Sequence, residues 1–99
     1  MAYRLEVMKR LEVPPEFYIG HLIGSNIRTI QKLSKAEITI PKGKNHEIIE
    51  IRGSPYAVTL AVKLVLAVFH HIDPSKVNEG YLLGIVILTN INLCLLIQK

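Results

Sequence analysis

The residues best suited to chemistry lie in one stretch, HLIGSNIRTIQKLSKAEITIPKG, from His21 to Gly43. It reads as the end of one helix, a glycine, a second helix and a strand, with Gly24, Ser25 and Asn26 at the junction. A glycine-to-helix junction can hold a phosphate, because the unpaired N–H groups and the positive end of the helix dipole both face the anion. Arg28, Lys32, Lys35, Lys42 and Lys44 follow close behind and would add positive charge along a sugar-phosphate backbone. The plainer reading of the same residues is that Ser25 and Asn26 cap their own helix and the basic residues form a solvated face.

Other chemistries find less support. His21 and His46 fall near element ends, and the adjacent His70 and His71 are turned about 100° apart on a helix, so they cannot chelate as a pair four residues apart would. There is no Ser-His-Asp set with orienting context and no Gly-Lys-Ser/Thr phosphate loop, and the eight acidic residues are scattered. We expect no enzyme, no cofactor and no metal. Tyr3, Phe17, Tyr18, Tyr56 and Phe69 are dispersed along the chain, which leaves no clustered stacking platform in view. A single cysteine, Cys94, excludes an internal disulfide and suits a reducing compartment. Charged residues from Arg4 to Glu12 interrupt any signal-peptide core, so an intracellular chain, nuclear or cytoplasmic, is expected. Ninety-nine residues fit one small domain, and a net charge of +4 gives an anionic partner a mild lift.

The elements that must position the junction follow from periodicity. Tyr3 to Val13 alternates with a period of two, broken at Lys9, and predicts a half-buried strand. Pro14-Pro15-Glu16 ends it and suits a first helical turn, predicting a short helix to about Leu22 or Ile23. Ile27, Ile30 and Leu33 mark the second helix, which runs toward Ala36. Ile38 and Ile40 then share one face of a strand that Pro41 and a basic loop terminate, and HEIIEIRG returns as another strand. Ser54 and Pro55 open the longest helix, to about Ile72, with Val58, Ala61, Val62, Val65, Phe69 and Ile72 as its core stripe. Leu60, Leu64, Ala67 and Val68 widen that stripe beyond one face, so a further element must cover it. After a polar linker the composition turns apolar, and residues 81–97 carry no charge. Three fates stay open for this tail: packing on the wide helix face, a hairpin turning at Thr89-Asn90, or a membrane segment burdened by Asn90 and Asn92.

The order strand, helix, helix, strand, strand, helix, together with VPPEF ahead of HLIG, then SNIRTIQKLSKAEITI, then IEIRG with Val58 and Ala61 beyond it, resembles a type I KH domain. KH domains are small modules that bind single-stranded RNA and DNA. The resemblance implies an α+β fold, β-α-α-β-β-α, with a three-stranded antiparallel sheet packed on three helices over residues 1–72. A linker at 73–80 and the apolar tail at 81–99 would follow.

In that family a Gly-x-x-Gly loop joins the first two helices and clamps the nucleic-acid backbone, while bases lie between the second helix and the second strand. Here Gly24-Ser25-Asn26-Ile27 stands where the family has glycine, a basic or polar residue, two glycines, and only then the Ser-Asn-Ile that starts the helix. Three residues are missing. Aligned without a gap, Ile27 replaces the second glycine, and the clamp is lost either way, since a Cβ there obstructs the phosphates. The resemblance therefore implies weak binding of single-stranded RNA through Gly24, Ser25, Asn26, Ile27, Arg28, Lys32, Ile38, Ile40 and Lys42, with Ile30 in the same aliphatic groove. A protein-protein interaction module or homodimer built on the same fold is the alternative, and membrane contact through residues 81–97 is a third. The stretch SKAEITIPKGKNHEIIEIRG is also similar to the KH module of the activating signal cointegrator 1 complex subunit 1 family. That family carries a phosphoesterase-like domain after the module, so this kinship implies a truncated or alternative form here.

Overall fold

A computed structural model describes residues 5–40 and 48–97, with side chains through residue 90. Strands β1 (Val7–Glu12), β2 (Glu37–Thr39) and β3 (Ile48–Gly53) form one antiparallel sheet in the order β1-β3-β2. Helices α1 (Ser25–Ser34), α2 (Pro55–Phe69) and α3 (Glu79–Ile97) accompany it. The first strand, expected over Tyr3 to Val13, starts only at Val7, with the described Leu5 and Glu6 outside it, while Tyr3 and the Pro41 turn with its basic loop lie outside the described residues.

Side-chain alternation decides which sheet face meets the helices. Ile38 on β2 and Ile49 and Ile51 on β3 point into the core, with Val7 and Leu11 of β1 packed against it. Met8, Arg10, Glu50, Arg52 and Glu37 occupy the opposite, open face. There the register sets Arg10 opposite Glu50, and their ion pair closes at 3.1 Å. Such an exposed pair is worth about 0–1 kcal/mol, so it tunes the register rather than holding the sheet together. Lys9, which breaks the alternation, is exposed.

The first predicted helix is reduced to a 3-10 turn, Ile19–His21. Phe17 N–H donates to the Pro14 carbonyl in a turn of its own, and Tyr18 is extended, so the helical path starts only at Ile19. Two prolines without N–H groups and Gly20 leave too few residues for a helix, which is marginal at this length even with good helix formers. Fully buried Leu22 pins the turn to the core.

Helix α2 begins as predicted, with Pro55 in the first turn and the Ser54 hydroxyl accepting from Ala57 N–H. It stops at Phe69, so Ile72, expected in the core stripe, is 99% exposed. The His71 ring supplies the reason, since its Nδ1 accepts the Asp73 N–H and turns the chain away from the helix axis. The wide apolar arc is covered as required: Leu60, Leu64 and Val68 are buried, and α3 lends Leu82, Ile85 and Val86 to the same core. The tail is thus helical over Glu79–Ile97 and not a hairpin, and Val77 in the predicted linker is buried in the same core as Leu82. Asn90, a liability in an apolar segment, accepts a hydrogen bond from the Tyr56 hydroxyl. Among the described residues, no helix is long and apolar enough to cross a membrane.

Candidate nucleic-acid interface

The junction is a tight turn of three residues, Leu22 to Gly24, between the 3-10 turn and α1. Gly24 caps the helix with φ 92° and ψ −126°, a conformation that only glycine adopts cheaply, while the space where its Cβ would stand is empty to 4 Å. Backbone sign, not crowding, selects the glycine. Ser25 and Asn26 were expected to cap α1, yet neither side chain does so. Asn26 is buried and its amide instead donates to the His21 carbonyl at 2.7 Å, binding the 3-10 turn to the first turn of α1. Ile27 N–H is taken by the Leu22 carbonyl and Arg28 N–H by that of Gly24. Among the described residues, the N–H groups of Gly24, Ser25 and Asn26 keep no intramolecular acceptor, so a small anion site remains without a concave cradle.

The groove beside the junction is set by β2, an edge strand. Ile38 is paired in register with Ile51, but its N–H is accepted by Gln31 Oε1 of α1 at 2.8 Å. That bond shows the Ile38 main chain facing away from β3, and its carbonyl, on the same side, points outward with no donor among the described residues. Gln31 thus bridges helix and strand across the groove. Sequence reasoning misses this role, because the spacing of a helix glutamine says nothing of a strand seven residues on.

The predicted groove residues divide by depth. Ile30 is 0% and Ile38 7% exposed, so their side chains belong to the core; the period that made them groove candidates also made them core. Ile27 and Ile40 are half-buried and remain accessible. Ser25 and Arg28 are exposed, and the Arg28 Nε lies 3.4 Å from the Gly24 carbonyl, which keeps its guanidinium over the junction. Lys32 turns toward α3, its ammonium 3.8 Å from Glu79, and so leaves the groove rim. Lys42 lies outside the described residues.

Aromatic residues that look dispersed in sequence are brought together elsewhere. The Phe17 and Phe69 rings meet edge-on at 4.8 Å, and Tyr18 stands over His21 at 5.2 Å. With His70 and His71 they line a pocket of about 340 Å³ between the 3-10 turn and the end of α2. Among the described residues, no three His, Cys, Asp or Glu side chains are grouped to hold a metal ion.

No curated protein and no solved structure matches the chain. A family model described as KH domain matches residues 8–67, more than half of the 99 residues. The match opens in β1 and closes within α2, and so takes in all three strands, the junction and the groove; α3 follows it. A three-stranded antiparallel sheet of order β1-β3-β2 backed by α1 and α2 is the architecture that match requires, and the chain accordingly belongs to the KH domain family of single-stranded nucleic-acid binding modules.

Proposed function

We propose that the chain binds single-stranded RNA weakly, in the groove between α1 and β2, without the backbone clamp of a full Gly-x-x-Gly loop. The observation that carries this reading is the outward edge of Ile38, with a free carbonyl and a Gln31-held N–H, flanked by half-buried Ile27 and Ile40. The carbonyl of such an edge can accept a hydrogen bond from a donor of an unstacked base, while the two isoleucines offer the base an apolar bed. The free N–H groups of Gly24, Ser25 and Asn26 would receive one phosphate, with Arg28 and Lys42 beside the backbone and Lys32 contributing only at long range. Binding is weak on this reading because Ile27 and Arg28 N–H are already spent within the turn and Asn26 is occupied by His21.

A short single-stranded RNA titrated by fluorescence anisotropy tests this. With about two phosphate contacts, log K should fall with log salt at a slope near −1.4, and Kd should lie at roughly 10⁻⁴ to 10⁻⁵ M at physiological salt. Arg28→Glu should flatten the slope by about 0.7. Absence of binding at low salt would remove the reading. A second reading, protein-protein contact or self-association, is favoured by the exposed Leu83, Ile87 and Leu88 on α3. It expects a partner's footprint on α3 and not on the α1–β2 groove.

A further inference from the structure

We propose that the aromatic pocket between the 3-10 turn and the C-terminal end of α2 takes one additional unstacked nucleobase of the bound strand, stacked on the Tyr18 ring with His21 at its edge. The inference rests on the RNA reading above and extends it to a second site outside the α1–β2 groove. Tyr18 is 69% exposed, an aromatic ring held in solvent and not inserted into the core. Gly20 makes room for it: a Cβ there would stand 2.5 Å from Tyr18 Cε2, so the ring can rest on the backbone of the 3-10 turn because that residue has no side chain. His21 meets the Tyr18 ring edge-on at 5.2 Å, and the Phe17–Phe69 pair walls the other side.

The pocket's chemistry suits a base. Its volume of about 340 Å³ lies at the small end of ligand sites, the scale of one nucleoside. Flat faces come from Tyr18, Phe17 and His21, and hydrogen-bonding groups from Glu16, His70 and His71. His71 accepts the Asp73 N–H at Nδ1, which leaves Nε2 as the ring nitrogen able to donate. Position argues for the same strand: the His21 carbonyl is hydrogen-bonded by Asn26 in the first turn of α1, so the pocket adjoins the proposed phosphate site at Gly24 and Ser25. Base stacking on aromatic rings tolerates any sequence, since every base has a π-face.

The test compares a tetranucleotide, which fills the groove, with a hexanucleotide of the same repeating sequence, using the full chain at low salt. The wild-type chain should bind the hexamer about fivefold or more tightly beyond the statistical gain in registers. Tyr18→Ala should abolish that gain and leave tetramer binding unchanged, while Tyr18→Phe should keep it. Gly20→Ala, which displaces the ring but retains its chemistry, should lose the gain as Tyr18→Ala does. Tetramer binding with no hexamer gain, or a gain that survives Tyr18→Ala, overturns the pocket and leaves the groove standing. A wild-type chain that binds neither oligonucleotide overturns both.

Discussion

Leu82→Ala should lower the free energy of unfolding by about 2–5 kcal/mol, the cost of deleting a fully buried leucine and leaving a cavity. Leu82 is 0% exposed and shares the core with Val77 and the α2 residues, although it lies beyond the residues the KH domain family model matches. Its neighbour Leu83 is 42% exposed, so Leu83→Ala should stay within about 0.5 kcal/mol of the parent. For a domain of this size each kcal/mol moves the midpoint by about 4–8 °C, and the two variants should separate by about 6 °C or more in a thermal melt followed by circular dichroism. Equal melting would mean that α3 is not docked on the sheet-backed helices. The contrast also decides whether the uncharged tail is an appendage or a structural part of the domain. Tyr56–Asn90 and Lys32–Glu79 tether it at two further points, both exposed and individually of small worth.

Inserting Lys-Gly-Gly between Gly24 and Ser25 should strengthen RNA binding about tenfold or more, if the proposed reading of the shortened turn is correct. At present Ile27 N–H and Arg28 N–H close the turn on the Leu22 and Gly24 carbonyls, and an anion meets only the remaining amides. Added glycines let the backbone approach a phosphate without a Cβ in the way, and successive N–H groups can form a concave anion bed. One net hydrogen bond to a charged oxygen, about 1.5 kcal/mol, already gives a factor of ten. Unchanged affinity in a variant that keeps its melting temperature would show that the short turn is not what limits binding.

Much of this architecture was legible in the residues, and the failures have specific causes. The alternation in β1 and β3 and the Ser54-Pro55 start of α2 depend on local rules and are found in the fold, although β1 begins at Val7 and not earlier. The KH resemblance rested on element order and spacing, which tolerate a first helix shrunk to Ile19–His21. Helix α3 was not legible because it is apolar on every side, so no period separates helix from strand; its amide Asn90 is satisfied by Tyr56, thirty-four residues away. At the site, Ile30 and Ile38 were placed correctly in the chain but at the wrong depth, since one apolar stripe serves both core and groove. Asn26 was misjudged and Gln31 passed over for a common reason: each side chain serves a carbonyl or N–H of another element, His21 and Ile38, which only the folded chain brings near. The same holds for the aromatic pocket, whose Phe17 and Phe69 walls are far apart in sequence.

Backbone amide shifts of the ¹⁵N-labelled full chain, followed during titration with a short single-stranded RNA at low salt, test the central claim most directly. The largest movements should fall on Gly24, Ser25, Ile38 and Ile40, with α3 and the open sheet face nearly still. Movements confined to α3, or none at saturating RNA, would contradict a nucleic-acid groove between α1 and β2.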